Sequence, residues 1–130
     1  MEKVTGIGGV FFRAKEPEEL SNWYETHLGV ERVGKTYEDG SWWQDEGPTV
    51  FTPFKEDAEH FGASQQSWMI NFRVKDLDAM VKQLRAAGIK VELDPKTYPN
   101  GRFARLSDPE GNPIELWQAA GTDAKRPARN

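Results

Sequence analysis

The pattern of apolar and polar positions changes from alternation to helical spacing twice along the chain, at points 60 residues apart. Residues 6–14 alternate as a β-strand does, and residues 68–74 repeat this alternation. Each predicted strand is followed by apolar residues at helical spacing, and each helix pattern stops at a glycine. The apolar helix positions are Leu20, Trp23, Tyr24 and Leu28 before Gly29, and Leu77, Met80, Val81 and Leu84 before Gly88.

A short repeat in the sequence supports the interpretation as two similar units. The segment Phe12-Arg13-Ala14-Lys15-Glu16 returns as Phe72-Arg73-Val74-Lys75-Asp76. Strand-like pieces with turn signals between them follow each helix, at 30–36, 41–44 and 49–54 and again at 89–93, 103–106 and 113–117. A repeat of this length indicates one structural unit that is built twice.

These elements predict an α+β fold in which two βαβββ modules form a curved mixed sheet around one cavity. We expect a single domain over residues 1–118, because a chain of 130 residues is long enough for one shared core. The first module covers residues 4–54 and the second covers residues 67–118. Residues 55–66 are predicted to be a linker, and residues 119–130 a flexible tail with few apolar side chains.

Alternation also assigns the strand side chains to two faces of the predicted sheet. One face is apolar in both copies and is expected to pack under the helices. The opposite face mixes apolar and polar side chains, as the wall of a ligand cavity does. Because adjacent strand residues point to opposite faces, only one of the neighbours Trp42 and Trp43 can line this cavity, and we assign Trp43. The predicted ligand-binding residues are Phe11, Trp43, Phe51, Met69, Asn71 and Trp117, and Glu115 on the same face is the catalytic candidate.

Composition narrows the possible partners of the chain. The formal net charge is −4 and no basic face is visible, which argues against binding to nucleic acid. The chain has no cysteine, so a disulfide framework and a thiolate nucleophile or metal ligand are excluded. No apolar run is as long as a membrane span, and no signal-peptide core follows Met1. We therefore predict a cytoplasmic protein that interacts with neither membranes nor nucleic acids.

Three segments resemble a known family. They are the helix end Trp23-Tyr24-Glu25-Thr26-His27-Leu28-Gly29, the repeat segment from Phe72 to Asp78, and the closing motif Asp108-Pro109-Glu110-Gly111-Asn112-Pro113-Ile114-Glu115-Leu116-Trp117. Together with the tandem modules, they resemble the vicinal oxygen chelate superfamily. This superfamily contains glyoxalases, bleomycin-resistance proteins, extradiol dioxygenases and fosfomycin-resistance enzymes. The resemblance covers about residues 4–118, and one fold in this superfamily carries several functions.

The resemblance implies a divalent metal ion held by four inward positions, commonly His or Glu. In this chain these positions fall on Gly9, Phe51, Met69 and Glu115. Only Glu115 is a ligand of the expected kind. Gly9 and Phe51 have no donor atom in their side chains, and the thioether of Met69 is a soft ligand that suits other metals. One carboxylate does not replace the three or more protein ligands of a zinc site. We therefore expect no cofactor, with a divalent metal at displaced ligands as the alternative.

Two polar residues of the inner face each have two interpretations. Glu115 is either a catalytic base or ligand anchor in apolar surroundings, or a carboxylate that is bonded to Asn71 or to an arginine. Asn71 either binds the ligand or bonds a neighbouring side chain, since an unpaired amide among apolar neighbours is costly. The two histidines are poor catalytic candidates: His27 ends a helix, and His60 is expected to lie in the linker away from the cavity.

Three functions remain open at the level of the sequence. The leading hypothesis is a protein similar to the bleomycin-resistance branch, which binds a small organic molecule in a cavity with a degenerate metal site. The second is a metal-dependent enzyme, either a glyoxalase-like lyase or a dioxygenase. The third is a structural dimer without a ligand. The resemblance also implies a homodimer, because dimers are common in the superfamily.

Overall fold

The second half of the chain folds as one complete βαβββ module. The computed structural model describes residues 1–62 and 66–128; residues 63–65 of the predicted linker and 129–130 of the predicted tail lie outside the described residues. The module consists of β1 (Ile70–Arg73), α2 (Leu77–Ala86), β2 (Glu92–Leu93), β3 (Gly101–Ser107) and β4 (Pro113–Ala119). The strands form one mixed sheet in the order β1-β4-β3-β2. The predicted α+β class is therefore confirmed.

Both helices begin and end where the sequence signals place them. The first helix, α1 (Pro17–Leu28), starts on a proline and ends before Gly29, which adopts a left-handed φ of 73°. Helix α2 is capped by Asp76, whose carboxylate accepts a hydrogen bond from the Ala79 amide at 3.0 Å.

The core lies between the two helices and one face of the sheet. Its most deeply buried side chains are Leu77 and Leu84 of α2 and Ile114 and Leu116 of β4. Helix α1 comes from the first half of the chain but contributes Leu20 and Tyr24 to this same core. The apolar strand face predicted to pack under the helices does so in the second module.

The ring of Tyr24 joins the two copies of the sequence repeat. Phe12 and its repeat partner Phe72 both contact it, with ring centroids 6.4 and 6.2 Å from that of Tyr24. The Tyr24 hydroxyl donates a hydrogen bond to the buried Asp108 carboxylate at 2.7 Å. Helix α1 is thereby attached to the closing motif of the second half.

The strands predicted for the first half are absent from the single chain, which corrects the expectation of two sheet-forming modules. Within residues 1–62 the structure contains α1 and two short 3₁₀ turns, but no strand. A strand requires a hydrogen-bonded partner, and the described residues provide none for the segments 6–14, 30–36, 41–44 and 49–54. These segments are exposed, and they include 10 of the chain's exposed large apolar side chains, among them Phe11 and Phe51.

The end of the chain keeps some regular structure within the predicted tail. Strand β4 runs to Ala119, and a 3₁₀ turn follows at Gly121–Ala124. Arg126 forms an exposed ion pair with Glu46. No helix in the described part of the chain is long and apolar enough to cross a lipid bilayer.

Candidate functional site

The sheet face opposite the helices carries two rows of functional side chains. Strand register places Asn71 beside Glu115 and Glu115 beside Arg105, so these three point to the same side. The adjacent row contains Arg73, Trp117 and Phe103. The first row is polar, and the second offers two aromatic rings.

Glu115 is the centre of the polar row and is only 7% exposed. Its Oε1 accepts a hydrogen bond from the Asn71 amide at 2.8 Å, and its Oε2 lies 3.4 Å from an Arg105 guanidinium nitrogen. The His60 Nε2 is 3.6 Å from the same Oε2. We call Asn71, Arg105, Glu115 and His60 the Glu115 cluster. The contacts of Glu115 with both Asn71 and an arginine suit a carboxylate held in a fixed position.

His60 is the residue that sequence reasoning missed, since it was expected to lie away from the cavity. A 3₁₀ turn at Glu59–Phe61 brings its ring onto Arg105, whose guanidinium donates to Nδ1 at 2.7 Å and to the His60 carbonyl at 3.2 Å. The ring of Phe54 lies 4.8 Å away. Phe61, next to His60 in an otherwise polar linker, was the available signal in the sequence.

The charge state of His60 follows from these contacts. A guanidinium can only donate, so the ring nitrogen that it contacts must accept and cannot carry a proton. Desolvation and the neighbouring Arg105 charge lower the pKa of His60, while the Glu115 carboxylate opposes this shift. The imidazole is therefore neutral at pH 7. Because the folded state disfavours protonation, His60 costs stability as the pH falls below about 6.5, its pKa in the unfolded chain.

We expect an NMR titration to place the pKa of His60 below 6.5 in the folded protein. The substitution Glu115→Gln should lower this pKa further, because it removes the one neighbour that favours the imidazolium. The substitution Arg105→Met should raise it for the opposite reason. A His60 pKa that responds to neither substitution would contradict the contacts of the Glu115 cluster.

The aromatic row forms a flat surface next to Glu115. The Trp117 and Phe103 rings are stacked, with an interplanar angle of 2° and centroids 6.3 Å apart. Trp117 is 2% exposed, and its indole N–H donates to the Asn100 carbonyl at 2.8 Å. This fixed orientation makes Trp117 a supporting layer, with Phe103 as the more accessible ring of the pair.

The structure brings together only part of the predicted ligand-binding set. Asn71, Glu115 and Trp117 share the sheet face, and Met69 lies half-buried just before β1. Phe11, Trp43 and Phe51 are 96%, 90% and 80% exposed in the single chain. Their place in a binding site therefore stays a prediction.

A surface groove of about 400 Å³ lies elsewhere, along α1. Its lining includes Trp23, His27 and Glu110, and Glu110 is already engaged. The Glu110 carboxylate accepts hydrogen bonds from the backbone amides of Lys15 and Glu16 at 2.6 and 3.0 Å. The groove is thus partly filled by contacts that fix the start of α1.

The residues present do not fit the divalent metal ion that the resemblance implies. Among residues 1–62 and 66–128 there is no group of three or more His, Asp or Glu side chains that could hold a metal. Near Glu115 the additional donor is the ring of His60, and the Arg105 guanidinium lies against both. A divalent ion at this position would have too few protein ligands to replace its hydration.

Comparison with known proteins identifies relatives of the chain at several levels. A family model described as the Glyoxalase/Bleomycin resistance protein/Dioxygenase superfamily matches residues 6–116. The anthracycline biosynthesis protein DauV from Streptomyces sp. (strain C5) is 39% identical over 61 residues. That match covers 45% of this chain and 22% of DauV, so the chain spans only about a fifth of this curated relative.

Solved structures show the same fold at low sequence identity. TnmS3, an antibiotic binding protein from Streptomyces sp. CB03234, superposes with a TM-score of 0.62 and 23% identity, over 92% of this chain and 100% of that one. A glyoxalase family protein from Bacillus anthracis gives a TM-score of 0.54 and 22% identity, over 90% and 99% of the two chains. Both superpositions extend well beyond the second module and include the first half of the chain.

Proposed function

Since the chain belongs to the glyoxalase/bleomycin resistance protein/dioxygenase superfamily, we propose that it binds a planar aromatic small molecule at the Glu115 cluster without a metal ion. The observation that carries this proposal is the position of Glu115. Its buried carboxylate is fixed by Asn71 and Arg105 and lies one row from the Trp117–Phe103 stack. A charged group beside an aromatic surface is what recognition of a flat ligand with a polar edge requires.

The relatives suggest a class of ligand for this arrangement. DauV is an anthracycline biosynthesis protein, and TnmS3 is an antibiotic binding protein. Anthracyclines combine fused aromatic rings with an amino sugar that is cationic at neutral pH. We propose that the rings lie on the aromatic row and that the ammonium group faces Glu115. A charge-assisted hydrogen bond to a buried carboxylate is stronger than one between neutral groups.

Two further properties belong to this proposal. We propose that the protein acts as a homodimer, in keeping with its exposed apolar segments. Its cytoplasmic location stays a prediction.

Doxorubicin, an anthracycline, is a suitable probe because its binding can be followed by quenching of tryptophan fluorescence. We expect saturable binding to the unmodified chain and a Kd that is about tenfold higher for Asn71→Leu, corresponding to about 1.4 kcal/mol. The leucine removes the amide that orients the Glu115 Oε1. The free energy of unfolding should change little, because the Asn71 side chain is largely exposed and water can replace it.

The matched control is Asn22→Leu, which makes the same change on the exposed surface of α1, on the other side of the sheet. This variant should bind doxorubicin as the unmodified chain does. Equal affinity for Asn71→Leu and Asn22→Leu would place the ligand away from the Glu115 cluster. Absence of binding to the unmodified chain would exclude doxorubicin and count against the anthracycline class.

A further inference from the structure

The Glu115 carboxylate is already engaged by the chain's own side chains. Its Oε1 accepts the hydrogen bond of the Asn71 amide at 2.8 Å, and its Oε2 lies 3.4 Å from Arg105 and 3.6 Å from His60. With these neighbours in place, Glu115 is only 7% exposed. A ligand group that contacts this carboxylate must therefore displace one of the three neighbours.

His60 is the neighbour with the weakest hold on Glu115. Asn71 and Arg105 lie on strands β1 and β3, in register with Glu115, so the sheet fixes their backbones. His60 lies outside the sheet in a 3₁₀ turn, and its contact of 3.6 Å with Glu115 is longer than a hydrogen bond. Displacement of His60 therefore leaves the strand ladder intact.

The imidazole of His60 occupies the position of a hydrogen-bond donor. Because the Arg105 guanidinium donates to Nδ1 at 2.7 Å, the neutral ring carries its proton on Nε2. Nε2 is also the atom that faces the Glu115 Oε2. A ligand's ammonium group would place a charged N–H at the same carboxylate. Since a charge-assisted hydrogen bond is roughly twice as strong as a neutral one, an ammonium group can replace the imidazole there.

The segment that carries His60 is suited to move as one piece. Residues 54–62 are all exposed or half-buried. The rings within the segment pack on one another, with the His60 centroid 4.8 Å from that of Phe54 and 5.9 Å from that of Phe61. Among the described residues, the hydrogen bonds that join this segment to the sheet come from Arg105. A segment with so few buried contacts opens at low cost in free energy.

We infer that residues 54–62 form a lid whose His60 ring occupies the Glu115 carboxylate in the free protein and leaves it when an ammonium group binds. We call this segment the His60 lid. In its closed position the lid inhibits binding, because the apparent Kd is the intrinsic Kd divided by the fraction of molecules with an open lid. The exchange of the ring for an ammonium group rests on the proposed function, whereas the attachment of the lid to Arg105 does not.

Removal of the imidazole should strengthen binding, which is the opposite of the effect expected for a residue that contacts the ligand. For His60→Ala we expect a Kd for doxorubicin at least about threefold lower than that of the unmodified chain, since no ring competes for Glu115. The control His27→Ala removes the other histidine, which lies on α1, and should leave Kd unchanged. A Kd for His60→Ala equal to or higher than the unmodified value would overturn the inference.

The position of the ring is followed by carbethoxylation with diethyl pyrocarbonate, which modifies accessible neutral imidazoles, at about pH 8 with detection by mass spectrometry. The chain has two histidines, so His27 serves as the internal reference. Saturating doxorubicin should increase the rate at His60 about threefold or more relative to His27, because the displaced ring is released from Arg105. An unchanged or decreased rate at His60 would show that the ring stays in place beneath or beside the ligand, and the lid would be excluded.

The attachment of the lid is tested without any ligand. The substitution Arg105→Met removes the guanidinium that contacts both the ring and the carbonyl of His60. It should increase the carbethoxylation rate of His60 about threefold or more, with the rate of His27 unchanged. Equal His60 rates in the two proteins would overturn the lid, because Arg105 would then not hold the ring. If doxorubicin binds neither the unmodified chain nor His60→Ala, the proposed ligand class fails, while this comparison still decides the lid.

Discussion

Replacing Asp108 with alanine should lower the free energy of unfolding by about 3–5 kcal/mol, because it removes the acceptor of a buried hydrogen-bond network. Asp108 is 4% exposed. Its carboxylate accepts hydrogen bonds from the Tyr24 hydroxyl at 2.7 Å, the Glu110 amide at 2.8 Å, and the Asn112 amide and side chain at 3.0 and 2.7 Å. Alanine would leave these donors without their partner and loosen both the closing turn and the attachment of α1.

The variant Tyr24→Phe provides the comparison, since it deletes a single bond of the same network. It should cost only about 1 kcal/mol, because the apolar ring stays in the core. Burial and the contact with Asp108 raise the pKa of Tyr24, so its hydroxyl remains a donor throughout the neutral range. Urea denaturation of the two variants gives both values. A loss below 1 kcal/mol for Asp108→Ala would contradict the network described for this motif.

Replacing Glu115 with glutamine should weaken doxorubicin binding by about 10- to 100-fold, which corresponds to about 1.4–2.8 kcal/mol. Glutamine keeps the shape of the side chain and an oxygen that can accept from Asn71. It removes the charge that faces both Arg105 and the proposed ammonium group of the ligand. Because the carboxylate is buried, added salt should reduce the difference between the two proteins only slightly. Calorimetric titration of both proteins measures the effect.

The control for this prediction is Glu92→Gln, a neighbour of the same kind. Glu92 lies opposite Arg105 in the register of β2 and β3, but the Glu92 side chain is exposed. The same loss of charge at this position should change Kd by less than about twofold, since exposed charges interact weakly. If Glu92→Gln weakens binding as much as Glu115→Gln does, the general negative charge of the surface would be responsible and not the Glu115 carboxylate.

The second module could be predicted from the sequence because its pattern and its partners lie within the same stretch of chain. Alternation puts Ile114 and Leu116 on one face of the last strand and Glu115 and Trp117 on the other, and the structure places the first pair in the core. The closing motif resembles that of the superfamily, and the superfamily model matches residues 6–116 of the chain. The sequence does not show its physical role. In the structure, Asp108 of this motif accepts a hydrogen bond from Tyr24 of α1 and so attaches that helix to the second half of the chain.

The strand pairing of the first half could not be predicted from the sequence pattern. Residues 6–14 have the alternation of a strand, but pairing depends on a second strand that the pattern does not specify. The Glu115 cluster could not be predicted for a similar reason, because it depends on contacts between residues that are distant in the sequence. Arg105 and His60 are 45 residues apart in the sequence, and only the 3₁₀ turn at Glu59–Phe61 brings the ring onto the guanidinium. Neither residue shows a spacing that a known motif would explain.

A crystal structure of the protein with doxorubicin tests the central claim most directly, because it shows what lies beside Glu115. We predict that the aromatic rings lie on the face formed by Phe103 and Trp117, with the ammonium group within hydrogen-bonding distance of the Glu115 carboxylate and no metal ion between them. Doxorubicin bound at another surface would contradict this account. A metal ion coordinated by Glu115 would also contradict it and would favour a metal-dependent enzyme.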